Sequence, residues 1–219
     1  MKYPCLVLDH DDTVVQTEAT INYPYFCYIL DVFRPGATIT LEEYIDGCFH
    51  LGFADMCRQK YQFTDQELQQ EYLGWKGYIR EHIPATYSGI ERIIQRQKNL
   101  GGLVCVVSHS SEEIIKRDYL THFGLLPDEI YGWDYPEHQR KPNPYPLTQI
   151  MEKHQLKPED ILVIDDLKPG YDMAKSVQVP IAFAGWSKQG HPDICNFMEN
   201  LCDFSFPTLQ DLEDFLFDK

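Results

Sequence analysis

Three short apolar runs, each unbroken and each ending on a polar residue, limit what this chain can fold into more than any other feature. They are Cys5-Leu6-Val7-Leu8 before Asp9, Leu103-Val104-Cys105-Val106-Val107 before Ser108, and Ile161-Leu162-Val163-Ile164 before Asp165. A strand with one wet face alternates apolar and polar residues, whereas unbroken runs suit strands buried on both faces, as in a parallel sheet covered by helices. Helical patterns lie between the runs. Ser88 with Glu91 and Ser110 with Glu113 have capping-box spacing, which predicts one helix from about Gly89 to Asn99, stopped at Gly101-Gly102, and a second ending near His122 before Gly124. A further helix is expected to start near Pro144, continue through Leu147, Ile150 and Met151, and lead by Pro158 into the third run. Alternating strands and helices of this kind predict an α/β doubly wound, Rossmann-like parallel sheet core.

Residues 17–85 read differently. Thr40 with Glu43 and Thr64 with Glu67 are two more capping boxes, aromatic residues are frequent, and no strand-like run occurs. This predicts an all-helical insertion between two parts of the core, residues 1–16 and 86–219. At the other end, His191 to Lys219 carries seven acidic residues against one basic, and Leu209, Leu212, Phe215 and Leu216 follow helical spacing, so an amphipathic helix with a solvated acidic face is expected there.

The 219 residues carry a formal net charge of −15. Nucleic acid and anionic membrane surfaces are poor partners for such a chain, because either would be approached through the field of the whole acidic molecule. A small anionic substrate is still possible, since a local cation or a ring of backbone N–H groups can reverse the sign inside a pocket. No apolar run is long enough to span a bilayer, and Met1-Lys2-Tyr3-Pro4 leads straight into the first run with no room for a signal peptide, so a cytoplasmic protein is expected. The seven cysteines form no C-x-x-C pair and no ligand spacing, which fits reduced, mostly buried thiols. Nothing in the pattern calls for a state other than monomer.

In an open parallel sheet, ligands bind beyond the carboxyl ends of the strands, where loops and helix N-termini converge. Asp9, Ser108 and the pair Asp165-Asp166 would meet there, joined by Lys141 from Arg140-Lys141-Pro142-Asn143-Pro144. In Asp9-His10-Asp11-Asp12-Thr13, a bend after Asp9 would let Asp9 and Asp11 face one small volume. One carboxylate could then attack phosphorus while the other donates and later removes a proton. An isolated D-x-D is more often a solvated turn or helix cap, but three acids in four residues after a buried strand favour a cation site. Ser108 and the N–H groups after it suit phosphate oxygens; a simple helix cap is the plain alternative, and Ser110 fills that better. Lys141 alone would be an ordinary loop lysine, and Asp165-Asp166 alone a helix cap. Two adjacent acids also suit Mg²⁺, which takes one or two protein carboxylates and keeps several waters.

These four pieces, in this order, resemble the haloacid dehalogenase (HAD) superfamily. Its D-x-D-x-T motif is similar to Asp9 through Thr13, its Ser or Thr after a strand to Ser108, its K-P-x-P lysine to Lys141, and its acidic pair with x-x-x-G to Asp165-Asp166 and Gly170. The helical insertion stands where the β-phosphoglucomutase/phosphoglycolate phosphatase-like branch carries its cap domain. The resemblance implies a Mg²⁺-dependent phosphatase acting on a small phosphorylated metabolite through an aspartyl-phosphate. It assigns Asp9 as nucleophile and metal ligand, and Asp11 as general acid/base whose backbone carbonyl also reaches the metal. Ser108, His109 and Lys141 would bind the phosphoryl group, Lys141 would stabilise charge, and Asp166, with Asp165, would complete the metal site. A phosphomutase shares all four motifs, and a non-catalytic phospho-ligand binder would not need both Asp9 and Asp11. Asp11 argues against a dehalogenase. The chain departs from the family at Asp12, where glycine is commoner, at Leu167 and at His10. His50 and Arg58 are candidates for contacting the distal part of a substrate.

Overall fold

Side chains alternate across a strand, so each unbroken apolar run feeds two cores at once. In the computed structural model, which describes residues 1–218, the strands are β1 (Cys5–Leu8), β2 (Leu103–Val107), β3 (Glu129–Tyr131), β4 (Ile161–Asp165), β5 (Ile181–Ala184) and β6 (Phe204–Phe206). All pair in parallel, in the order β3-β2-β1-β4-β5-β6. The helices are α1 (Tyr23–Phe33), α2 (Leu41–Leu51), α3 (Phe53–Tyr61), α4 (Asp65–Glu81), α5 (Ile90–Asn99), α6 (Glu112–Phe123), α7 (Tyr145–His154), α8 (Lys168–Ser176), α9 (Pro192–Glu199) and α10 (Leu209–Phe217). Among the described residues no helix is long and apolar enough to cross a membrane.

The chain divides into two compact units, one of Met1–Val15 with the chain from Thr86 onward, the other Gln16–Ala85. In the first, Leu6, Leu8, Val106, Leu162 and Ile164 share a core with Ile93 and Ile94 of α5, Ile115 and Tyr119 of α6 and Leu212 and Leu216 of α10. On the opposite face Val7, Cys105, Val107 and Val163 pack with Leu147 and Ile150 of α7 and Met173 and Ala174 of α8. Both faces are thereby covered, as the unbroken runs require. Leu8 stands level with Val106 on one side and Ile164 on the other, so β1, β2 and β4 end together. The strand order reverses direction beside β1, and the crevice between the ends of β1 and β4 is where this topology places a ligand.

The second unit is helical throughout, around Phe26, Leu30, Tyr44, Met56 and Phe63. Both capping boxes form here: Glu43 N–H donates to the Thr40 hydroxyl and Glu67 N–H to that of Thr64, each at 3.2 Å, while each glutamate accepts from the threonine N–H. The boxes expected at Ser88 and Ser110 do not. Gly89, in the left-handed region at φ 108°, holds the N-cap of α5, and Ser111, with no side-chain cap, precedes α6. The first turn of α6 is instead satisfied by Asp134, which accepts from Glu112 N–H at 2.6 Å.

The acidic tail holds more than one helix. It contains α9 and β6 before α10, whose Leu209, Leu212 and Leu216 are buried. Its acidic face is not wholly solvated, because Glu213 is buried and accepts from Arg92 of α5 at 2.8 Å. Of the seven cysteines, all free, Cys5, Cys57 and Cys105 are buried and the other four half-buried.

Candidate active site

Each strand of the central trio delivers one polar group at its carboxyl end. Asp9 leaves β1 with its N–H donating to Ile164 O of β4 at 2.9 Å, which fixes the backbone beside Asp165. Lys141 reaches between them: its Nζ donates to Asp9 Oδ1 at 2.7 Å and to Asp165 Oδ2 at 2.8 Å, and all three residues are buried. Burial pulls an ammonium's pKa down, but the two carboxylates outweigh it and hold Lys141 firmly protonated. Asp165 is pushed upward by burial and pulled back by Lys141.

The glycine of the last motif has a local cause. A Cβ at Gly170 would lie 2.2 Å from Asp165 Oδ2, so any side chain there would displace this carboxylate from Lys141.

Asp11 faces other partners. Its Oδ2 accepts from Ser110 Oγ at 2.6 Å and Ser108 Oγ at 3.3 Å, and Ser108 Oγ itself accepts from Ser110 N–H. His109 donates through Nε2 to Lys141 O at 2.9 Å, joining the β2 loop to the lysine loop. Burial, then the Lys141 charge, lower the His109 pKa, which favours the neutral ring. Ser108, His109, Lys141, Asp9 and Asp11 are therefore brought together as the sequence suggests. His10 points the other way, as strand alternation requires: it is buried, lies 3.0 Å from Asp118 Oδ2 of α6 and stacks on Tyr119.

The donor set suits a hard cation. Asp9, Asp165 and Asp166 each offer a carboxylate oxygen, and these lie within 4.8 Å of one another. Asp166 is buried, and its Oδ2 meets the Lys188 ammonium at 2.7 Å while its Oδ1 has no hydrogen-bond partner. An unsatisfied buried carboxylate oxygen costs free energy unless something else meets it, and a divalent ion with oxygen ligands would do so. The Asp11 carboxylate does not belong to this set, being turned to the serines.

One functional candidate escapes the motif reading altogether. Lys188, in the loop after β5, is buried, with Nζ 2.9 Å from Asp12 Oδ2 and 2.7 Å from Asp166 Oδ2. Burial lowers and the two carboxylates raise its pKa, and the carboxylates prevail. The loop after β5 falls on the same rim as the others and carries Lys188 there, but Ile181–Ala184 has too little strand pattern of its own to signal it. In the helical unit, Arg58 is exposed and engaged by Asp55 and Asp65, and His50 is exposed.

The crevice at the switch point of this doubly wound sheet is thus floored by buried carboxylates and a lysine. The family model for haloacid dehalogenase-like hydrolases matches residues 6–184, and the chain belongs to that family. Phosphoglycolate phosphatase of Vibrio vulnificus (strain CMCP6) is 26% identical over 114 residues, 51% of this chain and 47% of that protein. The chain thus matches about half the length of such curated relatives. Among solved structures, a haloacid dehalogenase-like protein of unknown function from Agrobacterium tumefaciens is similar with a TM-score of 0.77 at 16% identity, covering 98% of this chain and 97% of its own. CbbY from Rhodobacter sphaeroides, in complex with phosphate, is similar with a TM-score of 0.67 at 17% identity, covering 96% of each chain. At such identities the structures establish the fold.

Proposed function

We propose that this protein is a Mg²⁺-dependent phosphatase that hydrolyses a small phosphorylated metabolite through an aspartyl-phosphate on Asp9. The observation that carries the reading is the buried trio of Asp9, Lys141 and Asp165 beside the unsatisfied Oδ1 of Asp166. The names of the curated relatives and the phosphate held by CbbY support it. A divalent cation held by Asp9, Asp165 and Asp166 would supply the charge neutralisation that lets an anionic phosphoryl group approach a carboxylate.

The chain's own residues do the rest. An Asp9 carboxylate oxygen forms a bond to phosphorus as the ester oxygen departs, taking a proton from Asp11. Water then attacks the phosphorus of the aspartyl-phosphate, its proton passes to Asp11, and phosphate leaves with Asp9 restored. Lys141 offsets charge on Asp9 and on the transferring group, while the Ser108 hydroxyl and the His109 N–H orient the phosphoryl oxygens. Ser108 is within reach of this task because it already donates to Asp11. The helical unit, Gln16–Ala85, acts in this reading as the cap domain that selects the substrate.

Hydrolysis of p-nitrophenyl phosphate, with Mg²⁺ and with chelator, tests the proposal. Turnover should require Mg²⁺ and fall to background in Asp9→Asn. Equal turnover in chelator, or an active Asp9→Asn protein, would sink it. Phosphoglycolate and sugar phosphates then form the substrate panel.

A further inference from the structure

Asp12 stands where the family pattern more often has glycine, and it does so at a cost. Its φ is 54°, in the left-handed region that glycine enters freely, and its side chain is buried. A buried carboxylate in an unfavourable backbone conformation persists only where something compensates it. That compensation is Lys188, at 2.9 Å. The lysine is held in a built loop: Trp186 Nε1 donates to Thr13 O at 3.1 Å, Cys195 Sγ donates to Lys188 O, and a Cβ at Gly185 would press within 2.9 Å of Phe206 O. The β5 loop is thus fastened to the first-strand loop at consecutive residues, Asp12 and Thr13.

The charges divide into two matched groups. Lys141 bridges Asp9 and Asp165, and Lys188 bridges Asp12 and Asp166. Four buried carboxylates against two buried ammoniums leave two negative charges, the complement of one divalent cation. With glycine at position 12, two lysines would face three carboxylates and leave only one. We infer that Asp12 and Lys188 form a charge-compensating pair that sets the affinity of the site for its cation, with Lys188 also positioning Asp166. Lys188 approaches Asp166 on Oδ2, which leaves Oδ1 for the ion. The inference rests on the reading of the site as a divalent-cation site.

Charge balance and a purely structural clamp predict different signs. Mg²⁺ is titrated calorimetrically into metal-free wild-type protein, Asp12→Asn, Lys188→Met and the double variant. Removing a nearby negative charge in Asp12→Asn should weaken Mg²⁺ binding by about ten-fold or more, and removing a nearby positive charge in Lys188→Met should tighten it by a similar factor. The double variant, with two net negative charges again, should return to within about three-fold of wild type. Loss of affinity in both single variants, without recovery in the double, would overturn the inference in favour of a clamp. Should Lys188→Met fail to fold, Asp12→Asn against the double variant decides: the double must bind Mg²⁺ about ten-fold more tightly, and equal or weaker binding overturns the pair. A wild-type protein that binds no divalent cation would bring down the cation-site reading itself and this inference with it.

Discussion

Asp9 and Asp11 lie two residues apart and meet opposite environments. Asp9 is buried, with Oδ1 2.7 Å from the Lys141 ammonium, which fixes its carboxylate at the end of β1. Asp11 is half-buried, with the Ser110 hydroxyl at 2.6 Å and that of Ser108 at 3.3 Å from its carboxylate. A group that must give and take a proton is better served by such neighbours than by a fixed cation. Asparagine at position 11 keeps an oxygen that can accept from Ser110 but has no proton to transfer. Asp11→Asn should therefore slow turnover by about 10²- to 10⁴-fold, as expected for a lost general acid, while calorimetric Mg²⁺ affinity stays within about three-fold of wild type. Parallel loss of turnover and affinity would instead make Asp11 chiefly a cation ligand.

At the scale of elements, one spacing rule succeeds twice and fails twice, and the difference is the competition each serine or threonine meets. Thr40 and Thr64 face only their own helix, so the reciprocal bonds with Glu43 and Glu67 form. Ser110 is turned to the Asp11 carboxylate, to which its hydroxyl donates, and Ser111 takes the position before α6, while beside Ser88 the left-handed Gly89 takes the cap position. Neither competitor is visible in a local pattern. The same holds for the edges of the sheet. β1, β2 and β4 are unbroken apolar runs, and three of the four motif positions follow directly from them, with Lys141 in the loop before α7 the exception. β3 and β6 have three residues each and β5 is half alanine, so their strand character comes from pairing with neighbours rather than from their own side chains. Because β5 was invisible, so was Lys188. In the helical unit, Glu71 of α4 is another consequence of packing: it is buried, Tyr25 OH donates to its backbone carbonyl, and no hydrogen bond or ion pair reaches its carboxylate among the described residues. Burial pushes its pKa up to about 7. The folded state therefore holds this proton more tightly than the unfolded one, and stability from this site is full below pH ~4.3, is lost as pH rises toward the folded value, and is gone above it, by about 3 kcal/mol in all. Thermal melts of Glu71→Gln should lack this decline, so that the variant gains on wild type between pH 5 and pH 8. Identical pH dependence in the two proteins would show that Glu71 finds a partner in solution.

At the scale of the whole molecule, the net charge of −15 has to be reconciled with a phosphorylated substrate. Part of the acidity is consumed inside: Asp9, Asp12, Asp165 and Asp166 are buried against two lysines, the buried Glu213 is held by Arg92, and at the surface Asp203 is held by Lys175. Most of the remainder faces water and acts at a distance. An anionic substrate must therefore cross a repulsive outer field before it meets the cation and the lysines of the site. Salt shortens the reach of the outer field, with a Debye length falling from about 30 Å at 0.01 M to about 8 Å at 0.15 M, but screens close, buried contacts much less. At saturating Mg²⁺, kcat/KM for a phosphorylated substrate should therefore rise, by roughly two- to three-fold, as ionic strength increases over this range. An uncharged ligand of the site should show no such rise. A fall with salt would mean that the cation and the lysines project their field beyond the crevice and attract substrate from solution, so that local charge, and not the total, governs approach.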